Sequence, residues 1–98
     1  MKVIQKGMAG TLESSDVLVV VSPNDADDIK LSLQSKVEKQ YGNAIRKAIS
    51  ETLAKCGVTG ARVDVRDQGA LDCVIRARVE AAVYRAADEK NVKFGGQS

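Results

Sequence analysis

A short polar segment, ESSD at residues 13–16, places two adjacent hydroxyls between two carboxylates. A serine hydroxyl is a weak nucleophile unless a neighbouring base removes its proton. The chain contains no histidine, which excludes the Ser-His and Cys-His pairs that most often supply such a base. Chemistry at Ser14 or Ser15 would therefore have to be driven by a separate enzyme that attaches a group to an exposed hydroxyl.

The other candidate sites are weaker. Asp25, Asp27 and Asp28 suggest calcium, but an EF-hand loop needs an oxygen ligand and then a glycine where this chain has Ile29 and Lys30. The acidic segment is therefore expected to be a solvated loop. Two cysteines show no zinc-motif spacing and are expected to be buried thiols on or near apolar helix faces; they are Cys56 and Cys73.

Several arginines in the second half of the chain could form a basic patch, at positions 62, 66, 76, 78 and 85. Acidic residues interrupt them, which favours an ordinary solvated face. If some of them cluster, they could bind phosphate groups, because a guanidinium matches phosphate oxygens with two hydrogen bonds. The chain offers few aromatic side chains for stacking bases, which argues against single-stranded nucleic acid as a ligand.

Length and composition indicate one soluble domain. The chain has 98 residues, of which 44% are hydrophobic, and a net charge of +2 from 15 basic and 13 acidic residues, so a polyanionic partner is not required. No apolar stretch approaches the roughly 20 residues of a membrane span, and the start MKVIQKGMAG lacks the apolar core of a signal peptide. The expected location is the cytoplasm.

The elements that must position the serines begin with a predicted hairpin. DVLVVVSP at 16–23 is rich in β-branched residues and predicts a strand, and KGMAGTLE at 6–13 can pair with it. ESSD then forms a four-residue turn. Both serines are expected in an exposed, poorly packed tip.

Two further strands follow from strict alternation, with inward residues Ile29, Leu31 and Leu33 in one and Ala61, Val63 and Val65 in the other. Between them lies a predicted helix with an apolar stripe from Tyr41 to Cys56, capped by Ser35 with Glu38 and ended by Gly57. A second helix is predicted from about residue 70 to residue 87, with Leu71 opening its apolar stripe. The predicted fold is α+β: a two-layer sandwich with a mostly antiparallel sheet in the order β-β-β-α-β-α, two helices packed on one face and a helical crossover between the third and fourth strands.

Three stretches carry a resemblance to a known family: AGTLESSD at 9–16, SKVEKQYGNAIRKAI at 35–49 and DQGALDCVIRARVEAAVYRA at 67–86. Through them the chain resembles the γ subunit of citrate lyase, the acyl carrier family of that complex. The resemblance covers residues 1–87, which are expected to form a single acyl-carrier domain, and leaves 88–98 as a flexible C-terminal tail.

The resemblance implies that Ser14, which follows Glu in the matching GTLES string, carries phosphoribosyl-dephospho-CoA through a phosphodiester. Ser15 stands where relatives often have glycine and is the alternative site. The thiol of the group would carry acetyl and citryl thioesters while citrate is cleaved to acetate and oxaloacetate, with no catalytic residue and no metal on this chain. The implied partners are the α subunit that exchanges acetyl for citryl, the β subunit that cleaves the citryl thioester, and the transferase that attaches the group, with neither nucleic acid nor membrane.

Two alternatives stay open at this point. The chain could serve as the carrier of the related citramalate lyase, which its residues do not separate from the first reading. It could also be an α+β nucleic-acid-binding module that uses the scattered arginines.

Overall fold

The predicted element order is confirmed in a computed structural model that describes residues 1–87; the predicted tail at 88–98 lies outside the described residues. The elements are β1 (Gly7–Gly10), β2 (Val17–Ser22), β3 (Ile29–Ser35), α1 (Glu38–Lys55), β4 (Ala61–Asp67) and α2 (Asp72–Ala87). Neither of the two helices found in this part of the chain has the length and apolar character needed to cross a membrane.

The four strands form one sheet in the order β1-β2-β4-β3. β2 pairs antiparallel with β1 and with β4, whereas β3 and β4 are parallel. Parallel neighbours need a long connection, and α1 supplies it between β3 and β4. The mostly antiparallel sheet and the single helical crossover are therefore as the sequence predicts.

Both helices cover the same face of the sheet. Val19 and Val21 of β2 lie opposite Val65 and Val63 of β4, and all four side chains are buried in one cluster with Ile49, Val79 and other residues of the helices. α2 contacts β1, β2 and α1, while α1 contacts β3 and α2. The hydrophobic effect on this one face holds the two layers together.

The predicted cap of α1 is wrong, and its predicted end is confirmed. Ser35 belongs to β3, and Val37, which precedes the first helical residue, makes no side-chain cap. Gly57 has a φ of 72°, and the Val58 amide donates to the Leu53 carbonyl at 3.0 Å. This is the left-handed C-terminal cap for which glycine is favoured.

Some residues placed in the core by periodicity are exposed. Leu71 is 70% exposed because it precedes α2 rather than lying within it, and Tyr41 is 49% exposed near the start of α1. Ile29 opens the edge strand β3 and is also exposed, while Leu31 is half-buried. Periodicity identifies a helical or strand face, but it does not show where the opposing layer ends.

The expectation of two buried thiols is only partly met. Cys56 is half-buried against the core, and burial, followed by the charge of Glu80, raises the pKa of its thiol. Cys73 is exposed, contrary to prediction, because it lies in the first turn of α2 on the side away from the sheet.

Gly7 allows α2 to approach the sheet closely. A Cβ at this position would collide with the Ala86 nitrogen and the Ala82 carbonyl oxygen, both backbone atoms of α2. Glycine is therefore required here by the space available and not by an unusual φ.

We expect Gly7→Ala to lower the free energy of unfolding by about 2–3 kcal/mol, since the backbones must move apart to admit the methyl group. Gly42→Ala is the matched control: within α1 its Cβ would approach only the flexible Glu38 side chain, and alanine is the better helix former by about 1 kcal/mol. Urea unfolding followed by circular dichroism measures both. Equal effects of the two substitutions would contradict the close approach of α2 to β1.

Candidate functional site

The connection between β1 and β2 holds the two serines at its tip. Strand pairing ends at Gly10 opposite Leu18, so the connection runs from Thr11 to Asp16 and the strands are shorter than predicted. The Asp16 amide donates to the Glu13 carbonyl at 3.1 Å, which closes the four-residue turn expected for ESSD. The hairpin and its turn are thus confirmed.

Ser15 adopts a left-handed backbone conformation, with a φ of 65°. It occupies the third position of the turn, and Ser14 at the second position does not share the positive φ. This is the pattern of type II turns, in which the third position favours glycine. The geometry gives a physical reason for the expectation that related chains have glycine where this one has Ser15.

Thr11 and Asp16 brace the loop from within. The Thr11 hydroxyl accepts a hydrogen bond from the Glu13 amide at 3.1 Å and donates one to Asp16 Oδ2 at 2.8 Å. Asp16 Oδ1 also accepts from the Val17 amide at 2.8 Å. The residues on either side of the serines are therefore fixed by short local bonds.

Arg78 of α2 fixes the same loop to the helical layer. Its Nε and Nη2 atoms donate to Asp16 Oδ1 and Oδ2, each at 3.1 Å, in a two-pronged ion pair. The hydroxyl of Thr11, the Val17 amide and the Arg78 guanidinium together lower the pKa of Asp16 from an ordinary 3.8 to about 2. Asp16 is therefore charged at any physiological pH.

Gln68 holds the loop from the sheet side. Its amide donates to the Asp16 carbonyl and its carbonyl accepts from the Ser15 amide, both at 2.9 Å. These bonds extend the β2–β4 pairing one residue beyond Val17 and Asp67.

Asp67 organises the segment to which Gln68 belongs. Although it is only 1% exposed, its carboxylate accepts hydrogen bonds from the Ser35 hydroxyl at 2.8 Å and from the Gly69 and Ala70 amides at 3.1 and 2.9 Å. A buried carboxylate requires such partners. Asp67 thereby joins the end of β3 to the loop that leads into α2.

The structure leaves both serine side chains exposed. Neither hydroxyl makes a hydrogen bond to another residue within 1–87. The tip is not poorly packed, however: its backbone is tied to Gln68 and its base to Arg78. Attachment of a group at Ser14 stays a prediction. It is consistent with the accessible hydroxyl of Ser14 and with the backbone bonds that hold the loop.

Of the remaining sequence candidates, Arg78 joins this site and the acidic loop does not. Asn24 closes the acidic loop by donating to the Asp28 carboxylate at 2.8 Å, and no group of three or more potential ligands in residues 1–87 is arranged to hold a metal ion. The arginines other than Arg66 have nearby partners rather than forming one patch: Arg62 pairs with Asp64, Arg76 with Glu51 and Asp72, Arg78 with Asp16, and Arg85 donates to the Met8 carbonyl.

Sequence reasoning missed the residues that hold the loop. Arg78 was expected on a solvated face, and Asp16 was expected only to form the turn. Asp67 had a usable signal, because it continues the inward alternation of Ala61, Val63 and Val65 and so had to be a buried carboxylate with partners.

Comparison with known proteins defines the class. A family model described as "ACP: Malonate decarboxylase delta subunit (MdcD)" matches residues 4–86, which include the whole loop. A crystal structure of a Pseudomonas malonate decarboxylase hetero-tetramer in complex with malonate contains a chain of the same fold, with a TM-score of 0.69, 21% identity and coverage of 81% of this chain and 80% of that one.

Curated relatives are closer in sequence. The citrate lyase acyl carrier protein of Escherichia fergusonii is 53% identical over 95 residues, which are 97% of this chain and 98% of the relative. That of Streptococcus pyogenes serotype M5 is 54% identical over 87 residues, which are 89% of this chain and 85% of the relative. The chain belongs to the citrate lyase acyl carrier protein family.

We expect Ser15→Gly to raise the free energy of unfolding by about 0.5–1 kcal/mol, because glycine relieves the left-handed strain at the expense of some unfolded-state entropy. Ser14 has no positive φ, so Ser14→Gly relieves no strain. It only increases the entropy of the unfolded chain and is expected to lower the free energy of unfolding slightly. Urea unfolding of both variants distinguishes them. A loss of stability in Ser15→Gly would contradict the turn geometry.

Acid sensitivity tests the bracing by Asp16. Because its pKa is lower in the folded chain than in the unfolded chain, its contribution to stability is complete above about pH 4 and is lost as the pH falls towards 2. Asp16→Asn should therefore lower stability at pH 7 and flatten the fall in stability between pH 4 and pH 2. Asp25→Asn removes an exposed carboxylate elsewhere and should retain the wild-type profile; a wild-type profile in Asp16→Asn would contradict the bracing.

Proposed function

We propose that this chain is the acyl carrier subunit of a citrate-cleaving lyase complex and that Ser14 is the point at which its prosthetic group is attached. The observation that carries the proposal is the exposed, unbonded Ser14 hydroxyl on a loop whose backbone is fixed by Gln68 and whose base is fixed by Arg78. The names of the relatives supply the substrate class.

Ser14 suits an attachment point better than Ser15. Ser14 stands at the second position of the turn, has no positive φ and has an exposed side chain. Ser15 combines strained backbone geometry with an amide that is committed to the Gln68 carbonyl. A modifying enzyme can reach the Ser14 hydroxyl without disturbing the bond between the Ser15 amide and the Gln68 carbonyl.

The proposed group is phosphoribosyl-dephospho-CoA, joined through a phosphodiester that replaces the proton of the Ser14 hydroxyl. When attached, it supplies a terminal thiol that carries acyl groups as thioesters. The residues of this chain hold the point of attachment still: Thr11 and Arg78 fix the carboxylate of Asp16, and Gln68 fixes the backbone beside Ser14. None of these roles requires a base or a metal on the carrier.

The proposed partners are the α subunit, which exchanges acetyl for citryl, the β subunit, which cleaves the citryl thioester, and the transferase that installs the group. Tethering raises the effective concentration of the acyl group near both active sites, to the order of millimolar for a short flexible arm. The loop suits this task because Ser14 lies at its tip, beyond the end of β1 and the start of β2.

Ser14→Ala is expected to abolish attachment, and Ser15→Ala is expected to retain it. Each variant is produced together with the modifying enzymes and its intact mass is measured, alongside circular dichroism to confirm folding. Wild type and Ser15→Ala should gain the mass of the group, while Ser14→Ala should show the unmodified mass. A modified Ser14→Ala protein would move the site elsewhere.

A further inference from the structure

A shallow depression lies directly beside the loop, on the side of the sheet's β3–β4 end. It has a volume of about 350 Å³, and its walls include Leu12, Gln34, Lys36, Arg66 and Gln68. Leu12 is half exposed and stands two residues before Ser14. The depression is therefore partly built by the loop itself.

The depression is within reach of a group on Ser14. The Ser15 amide lies 2.9 Å from the Gln68 carbonyl oxygen, so the Ser14 Cα is no more than roughly 6 Å from that wall residue, given standard backbone dimensions. Arg66 precedes Asp67 on β4 and lies between Leu18 and Gln34 in the sheet. Its long side chain is exposed on the face that the helices leave uncovered.

The depression carries uncommitted positive charge. Lys36 and Arg66 are exposed, and the side chain of neither forms an ion pair or hydrogen bond with any residue of 1–87. The carboxylates nearby are already engaged: Asp67 by Ser35 and two backbone amides, and Asp16 by Arg78. The exposed Glu13 does not line the depression.

We infer that Lys36 and Arg66 bind phosphate groups of the prosthetic group attached at Ser14, an inference that rests on the proposed function. A guanidinium binds phosphate oxygens with two parallel hydrogen bonds and an ammonium adds a second positive charge. The side-chain amides of Gln34 and Gln68 offer further donors in the same depression. The arm thus leaves Ser14 across the end of β3 and β4.

The competing path runs over an apolar groove between the starts of α1 and α2. That groove is lined by Tyr41, Ala44, Ile45, Leu71 and Ile75 and has a volume of about 370 Å³. It offers no basic side chain to a phosphate among these residues. The two paths therefore predict contacts with different parts of the chain.

Nuclear magnetic resonance of the apo and fully modified proteins separates the paths. Beyond the loop itself, we expect amide shift differences at 34–36 and 66–68, and we expect the pyrophosphate phosphorus resonances of the group to differ from those of free dephospho-CoA. Raising the salt concentration should reduce both effects, because exposed ionic contacts are screened. This salt series uses the wild-type protein alone.

The variant Lys36→Gln/Arg66→Gln should lose the differences at 34–36 and 66–68 when modified, and its pyrophosphate phosphorus shifts should approach those of free dephospho-CoA. Lys30→Gln/Arg62→Gln is the matched control. It also removes one lysine and one arginine charge, from two residues that lie opposite each other on β3 and β4, farther from the loop. The control should retain the wild-type differences.

Shift differences that fall at Tyr41 and Leu71, or that end within residues 11–16, would overturn the inference while leaving attachment at Ser14 intact. So would salt-independent differences at 34–36 and 66–68. Failure of the wild-type protein to gain mass would instead refute the proposed function.

Discussion

The ion pair between Asp16 and Arg78 is the constraint on which the geometry of the loop depends. It is a direct side-chain link between the β1–β2 connection and the helical layer, and it has two hydrogen bonds of 3.1 Å. The helix can bring Arg78 to the loop because Gly7 lets the backbone of α2 approach β1. Gly10 has a φ of 93°, and a side chain there would collide with the Val17 carbonyl.

A carrier has to combine a fixed point of attachment with a mobile arm. The bonds to Gln68 and Arg78 supply the first requirement, and the group that we propose Ser14 carries would supply the second. If Lys36 and Arg66 bind the phosphate groups as we infer, the arm is drawn towards β3 and β4.

The sequence predicts the architecture well because the relevant signals are local. Alternation in the strands, the stripes of the helices and the glycine that ends α1 each follow from repeating backbone geometry. The core boundary was less predictable: Leu71 and Tyr41 have core-like residue types but extend beyond the opposing layer.

The site was only half predictable for a similar reason. A polar turn and its serines can be read from four adjacent residues, but the partner of Asp16 lies 62 positions away in α2. Ser35 shows the same limit. Its sequence context suggests the cap of α1, but its hydroxyl donates to the buried carboxylate of Asp67 and accepts from the Val37 amide, and Val37 is the residue that precedes the helix. Long-range polar contacts depend on how whole layers pack, and a local sequence pattern does not predict that packing.

The central claim is that a single hydroxyl at the tip of this loop carries the prosthetic group. Tandem mass spectrometry of a peptide spanning residues 9–16, taken from wild-type protein produced with its modifying enzymes, tests it most directly. Fragments that place the added mass on Ser14 are the predicted result. Fragments that place it on Ser15, or a fully modified protein in which this peptide is unmodified, would contradict the account.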